Sequence, residues 1–323
     1  MRKPRRSPAR QSRNTPPPRN AELLIEEIGT RGDGIAHLDG DAVFVPFTVT
    51  GDRVLARIEG RRGDGLTAAL IEVMEPGPGR AAPPCTHFGR CGGCSLQHLD
   101  DGLYAHWKRD LLLTQLARQG LAECAVDPLV RVPPGSRRRA ALVHFAGVAV
   151  EPAPGAFLQP TRGGELAIAE AVLAGIGTIS PVADLYAGCG SFSLPLALKG
   201  PVHAVEGEQA PVLALDAAAR REGLPLTSEV RDLARRPLSA HELKAYKAVC
   251  LDPPRAGAQA QIEELAKPIP GGPGTIAMVS CNPATLARDL RLLVNGGWRL
   301  ERITPIDQFP WAAHLEAVAI LRR

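Results

Sequence analysis

A series of short apolar runs in the C-terminal half, each halted by glycine or a polar residue, limits the fold of this chain more than any other feature. The runs cover 180–185, ending in DLYAGCGS; 203–206, ending in an acid; 248–252, closed by DPPR; 275–280, followed by Cys281; and 317–321. Helical patterns begin at Ser193 and Thr285 between them. Strands that are apolar throughout are buried on both faces, and their alternation with helices predicts an α/β fold with a doubly wound sheet. Such sheets bind ligands beyond the carboxyl ends of their strands. The residues that halt the runs are therefore the first candidates for a site.

Gly188 and Gly190 form a tight Gly-x-Gly turn that lets a ligand approach the backbone, and Glu206, ending the next strand, can accept both hydroxyls of a ribose. The turn lacks the third glycine of a nicotinamide-binding loop, and adenosyl cofactors without a pyrophosphate fit it equally well. Cys281 stands between a strand and the Asn282-Pro283 turn that opens a helix. A thiol there is partly ionised near neutral pH and can act as a nucleophile. A small buried residue closing a strand is the competing reading.

The N-terminal part has a different texture. Between 22 and 75, apolar runs alternate with GTRGDG, LDGD, VTGD and RRGDG, which predicts a small, strongly curved OB-like β-barrel. No strand there carries the aromatic row of a single-strand nucleic-acid platform. A linker rich in proline and glycine, 74–84, leads to Cys85, Cys91 and Cys94, whose intervening glycines let three thiolates converge on zinc or an iron-sulfur cluster. Cys124, His87 and His98 are candidates for a fourth ligand. Arg131, Arg137, Arg138 and Arg139 then form a positive edge suited to phosphate contacts. Seven cysteines, with three clustered, fit a reducing cytoplasmic setting better than a disulfide framework. The formal charge of +4 owes most to the basic residues of 1–20, a segment without an apolar run that is expected to be a disordered arm rather than a secretory leader. No stretch approaches a transmembrane span.

Together with PGAFLQP around Gln159, AVEG, LDPPRAG, SCNPATLARD and HLEAVAIL, these pieces resemble the S-adenosylmethionine-dependent RNA (uracil-5-)methyltransferases. Within that family they are most similar to the iron-sulfur-containing branch that methylates uridine in large-subunit ribosomal RNA. The resemblance covers 22–145 and 151–323. It implies a Rossmann-like class I methyltransferase domain (151–323), preceded by an OB-like TRAM domain (21–78) and a truncated cysteine-rich central region (79–150), with 1–20 as a basic tail. It further implies that Cys281 is the nucleophile and Glu316 the base that removes the proton from carbon 5. Gln159, Tyr186, Gly188, Gly190, Glu206 and Asp252 would surround S-adenosylmethionine, and Cys85, Cys91 and Cys94 would hold a 4Fe-4S cluster. The partner would be RNA, ribosomal in preference to transfer RNA, and the protein a cytoplasmic monomer with no membrane role.

Two departures stand out. Ser191 occupies a place where relatives commonly carry an asparagine near the cofactor, and its shorter side chain makes fewer hydrogen bonds. Between the arginine run and PGAFLQP only LVHFAGVAVE remains of a longer central segment, without the family's fourth cluster cysteine. An RNA cytosine-5 methyltransferase, which also attacks carbon 6 with a cysteine, and an RNA-binding remnant without turnover are the alternative readings. The Ser-Cys-Asn-Pro context and the glutamate of HLEAV favour uracil.

Overall fold

The computed structural model describes residues 18–90, 94–133, 136, 142–153 and 156–323. Most of the basic segment (1–17), Cys91, and Arg137, Arg138 and Arg139 lie outside these residues. Two compact units divide the chain: Met1–Tyr104 with Trp311–Ala313, and Ala105–Pro310 with His314–Arg323.

The first unit is built on β1 (Arg19–Leu24), β2 (Glu27–Ile28), β3 (Gly34–Leu38), β4 (Asp41–Val45), β5 (Arg53–Arg62) and β6 (Gly65–Glu75). Their order in the sheet is β1-β5-β6-β4-β3-β2. Val54, Ala56 and Ile58 alternate along β5 toward a core shared with Val43, Val45 and Leu66. The β5/β6 ladder shifts register at three places, which curves the sheet. The hydrogen-bonded order runs from β1 to β2, so among the described residues no ladder closes it into the expected barrel. The buried Asp52 carboxylate ties the following linker to this sheet, accepting from Val49 N (2.7 Å), Gly77 N (2.8 Å) and Arg80 Nη2 (2.6 Å).

The cysteine run requires a correction. Cys85 and Cys94 carry free, half-buried thiols, Cys91 lies outside the described residues, and among those residues no three His, Cys, Asp or Glu side chains converge as a metal site. The physical reason is where the local donors go. His98, only 1% exposed, has Nε2 3.1 Å from Thr48 O and its ring packed near Phe47 and Phe88, and burial pushes its pKa down to about 4. Gln97 Oε1 accepts from the Cys85 amide, and His87 points to solvent. In the other unit, Cys124 packs half-buried against apolar core. The expected iron-sulfur (4Fe-4S) cluster is therefore not supported: the described part of this segment is a turn over a small aromatic core, not a ligand shell.

The second unit holds most of α1 (Asp101–Arg118), then β7 (Val130–Arg131), β8 (Val143–Phe145), β9 (Val148–Val150), α2 (Arg162–Ile176), β10 (Val182–Leu185), α3 (Ser193–Ala197) and β11 (Val202–Glu206). There follow α4 (Gln209–Arg221), β12 (Leu226–Val230), α5 (Ala240–Leu243), β13 (Ala248–Leu251), α6 (Gln259–Leu265), β14 (Thr275–Ser280), α7 (Pro283–Asn295), β15 (Arg299–Asp307) and β16 (Glu316–Arg322). Eight strands form one sheet in the order β12-β11-β10-β13-β14-β16-β15-β7. The strands from β12 to β14 are parallel, and β16 runs antiparallel to both its neighbours. Val249, Leu251, Ile276 and Met278 fill the core on one face, while Ala248, Cys250, Ala277 and Val279 fill the other. Strand order reverses between β10 and β13, which opens a crevice beyond their carboxyl ends.

The short stretch 142–151 is folded. LVHFAGVAVE makes the β8/β9 hairpin, turning through Ala146 (φ 49°) and Gly147 (φ 90°), the paired left-handed conformations that suit a two-residue connection. Val143, Phe145, Val148 and Val150 pack on Leu215, Ala218 and Ala219 of α4. No helix among the described residues is long and apolar enough to cross a membrane.

Candidate active site

The loop after β10 begins with Tyr186 at φ 63°, a strained conformation for an aromatic residue, and continues through Gly188 (φ 54°) and Gly190 (φ 101°). At Gly190 a Cβ would stand 2.5 Å from Leu215 Cδ1, so the turn needs glycine to pass over α4. At Gly188 nothing lies within 4 Å of the same position, and a ligand can approach the backbone there. Glu206 braces this loop: Oε2 accepts from Gly188 N (2.9 Å), while Oε1 accepts from Gly207 N (2.6 Å) and Glu208 N (3.1 Å). A carboxylate has about four acceptor positions, and these three bonds leave one open. Beneath the loop, buried Asp184 accepts from Ser193 Oγ, and burial raises its pKa to about 6.

The other part of the candidate site is assembled from the ends of β13, β14 and β16. Asn282 caps α7, its Oδ1 accepting from Ala284 N at 3.1 Å with Pro283 in the first turn. Its Nδ2 donates to Arg255 O at 3.1 Å, tying the DPPR loop to the SCNP loop. Ser280 pairs with Ala317 across the β14/β16 ladder, so Cys281 and Glu316 stand at adjoining strand ends. Burial pushes the Cys281 thiol up, Glu316 and Asp252 add to that, and Arg255 opposes it. Glu316 is 3% exposed, and burial raises its pKa to about 7 against the opposing effects of Gln308 and Arg255.

A polar relay joins Glu316 to Gln159 and Asp252. Gln308 Nε2 donates to Gln159 Oε1 (2.6 Å) and to Glu316 Oε1 (3.2 Å), and Gln159 Nε2 points at Asp252 Oδ2 (3.4 Å). Burial, together with Glu316 and Asp184, holds Asp252 well above the usual carboxylate range. Gln159, Asp252, Cys281 and Glu316, distant in sequence, thus share one crevice.

Sequence reasoning missed four contributors. Gln308 carries the relay. Arg255, quoted only as part of DPPR, faces His314 with Nη2 3.4 Å from Nε2. Asp232 follows the carboxyl end of β12, the next strand end beyond Glu206, and was detectable as an acid after a run. Lys108, 0% exposed on α1, donates to Asp307 Oδ1 (2.8 Å), Phe309 O (3.2 Å) and His314 O, and so fixes the ends of the loop that leads to Glu316.

Similarity to known proteins agrees with this geometry. The family profile described as tRNA (Uracil-5-)-methyltransferase matches residues 224–323. An uncharacterised RNA methyltransferase from Rhizobium meliloti is 36% identical over 419 aligned residues, covering 93% of this chain and 99% of the relative. That alignment is longer than the 323-residue chain, so the relative carries segments that this chain lacks. The 23S rRNA (uracil(1939)-C(5))-methyltransferase RlmD of Dichelobacter nodosus is 28% identical, covering 93% of this chain and 98% of its own. In fold, the tRNA (uracil-54, C5)-methyltransferase of Pyrococcus abyssi, solved with S-adenosyl-L-homocysteine, superposes with a TM-score of 0.73 at 19% identity, over 93% of this chain and 100% of that one. With the Gly-x-Gly loop, the strand-end acids and the thiol beside a buried carboxylate in place, the chain belongs to the S-adenosylmethionine-dependent RNA (uracil-5-)methyltransferase family.

Proposed function

We propose that this enzyme methylates carbon 5 of a uridine in RNA through a covalent adduct on Cys281, with large-subunit ribosomal RNA as the substrate. The observation that carries the reading is the adjoining placement of the Cys281 thiol and the buried Glu316 carboxylate at neighbouring strand ends. Carbon 5 of uracil is a poor nucleophile. Cys281 attacks as the thiolate, its proton released to solvent; bond formation between Sγ and carbon 6 moves the electron pair of the 5,6 double bond toward carbon 5, and the resulting enolate is a good one. S-adenosylmethionine, when bound, supplies an electrophilic methyl group. Glu316 then takes the proton from carbon 5, the double bond reforms and Cys281 leaves as thiolate. Gln159, Tyr186, Gly188, Gly190, Glu206, Asp232 and Asp252 line the strand ends on the donor's side, and the open space over Gly188 suits it. We assign 21–78 as a TRAM-type RNA-binding domain and 79–150 as the shortened central region. Arg131, at the β7 edge, is one RNA phosphate contact.

The direct test is transfer of labelled methyl to unmodified ribosomal and transfer RNA, followed by nucleoside analysis. Labelled 5-methyluridine from ribosomal RNA is the expected product; 5-methylcytidine would transfer the reading to cytosine, and label in transfer RNA alone would change the substrate. Donor binding has its own check. Glu206→Ala is expected to weaken S-adenosylmethionine binding by about 1–3 kcal/mol in calorimetry, through loss of a charged acceptor, and unchanged affinity would remove Glu206 from the donor site.

The pH dependence follows from Glu316. Its carboxyl group is protonated below about pH 7 and serves as a base above it, so the single-turnover rate is expected to rise through that pH and the limb to vanish in Glu316→Gln. The same raised pKa makes the folded state bind the proton more tightly than the unfolded chain. Stability from this group therefore falls as pH rises from about 4.5 to about 7, and Glu316→Gln should melt higher than the unaltered protein at pH 8.

A further inference from the structure

Gln308 follows β15 and is 1% exposed. Both directions of its amide nitrogen are used, toward Gln159 at 2.6 Å and Glu316 at 3.2 Å. Its Oε1 is buried without a hydrogen-bond partner and lies against the first turn of α2, where a Cβ on Gly164 would stand 2.5 Å from it. That turn is the electropositive end of a 15-residue helix capped by Thr161, whose Oγ1 accepts from Gly164 N at 3.0 Å. The amide is oriented by this setting: oxygen toward the positive helix end, nitrogen toward the carboxylate. A flipped amide would set its oxygen against Glu316.

We propose that Gln308 is a positioning residue for the proton transfer, its amide, backed by Gly164, holding Glu316 as the charged base and fixing it to the cofactor-side Gln159. The proposal deepens the uridine reading and rests on Glu316 being the base. Among the described residues, the charged and titratable groups that face Glu316 are Asp252 beyond β13, Arg255 in the following loop and Cys281 beyond β14. Asp252 and an ionised Cys281 repel its charge, Arg255 attracts it, and Gln308 is the hydrogen-bond donor to the carboxylate itself.

Gln308→Met keeps length and burial while removing both donations. The test is carbon-13 titration of protein labelled at the glutamate carboxyl carbon, with the Glu316 resonance assigned by its absence from Glu316→Gln. The midpoint is expected near pH 7 in the unaltered protein and higher by about one pH unit in Gln308→Met, the size of a hydrogen bond to a charged group. Gly164→Ala, which crowds Gln308 from behind and removes no polar group, is expected to move it the same way by less, and it carries the test should Gln308→Met fail to fold. In single-turnover methyl transfer the ascending limb should move with the midpoint. An unmoved midpoint in a folded variant overturns the role of Gln308. The titration needs neither RNA nor methyl donor, so a moved midpoint in a chain that never methylates uridine overturns Glu316 as the base, and with it the catalytic meaning of the contact, separately from the contact itself.

Discussion

Cys281→Ala is expected to abolish methyl transfer and covalent RNA capture together, because no bond to carbon 6 can form and carbon 5 is then never activated. Glu316→Gln should behave differently. It leaves the thiol and the donor site in place, keeps an acceptor oxygen toward Gln308, and removes only the group that takes the proton. Turnover should fall by about 10²–10⁴-fold, the range for loss of a general base, while a methylated RNA-protein adduct accumulates. Denaturing electrophoresis with radiolabelled donor, followed by nuclease digestion, distinguishes the two variants. A labelled adduct in Cys281→Ala would refute the nucleophile, and normal release of 5-methyluridine by Glu316→Gln would refute the base.

The second large effect is structural. Lys108→Met should cost about 3–5 kcal/mol of stability, since it removes the buried cation that donates to the Asp307 carboxylate and to two loop carbonyls. Burial pulls the Lys108 pKa down, Asp307 opposes that shift and Arg131 adds to it. Adding Asp307→Asn should recover a good part of the loss, because the buried negative charge is removed along with its cation while an acceptor for Phe309 N remains. Thermal and denaturant unfolding measure both. A Lys108→Met chain as stable as the unaltered one would mean that the loop holds its shape by packing alone.

The strand ends of the α/β sheet were legible because β10, β13 and β14 are buried on both faces and so read as unbroken apolar runs. The residues that stop such runs are the residues of the candidate site. What stayed hidden has physical causes. β12 is half-exposed, β15 contains Pro305 and several charges, and β3 lies between two Gly-Asp turns, so none gives a clean apolar signal. Gln308 and Lys108 are polar residues whose meaning comes entirely from partners far away in sequence, and no periodicity marks them. The cysteine run misled for the converse reason. Spacing says that three thiols can meet but not where the backbone sends the neighbouring donors, and His98 is spent on Thr48 and an aromatic core.

The place of β16 bears on how the enzyme comes into being. It is later in the chain than every other strand of its sheet, yet it lies inside, between β14 and β15, which are both made before it. Until it arrives, those two strands have a gap where they need a shared neighbour, and the crevice has a thiol without its carboxylate. The same strand that completes the hydrogen-bonded order between β14 and β15 also brings Glu316 beside Cys281, so on the mechanism proposed above a chain truncated before β16 would hold the nucleophile without the base.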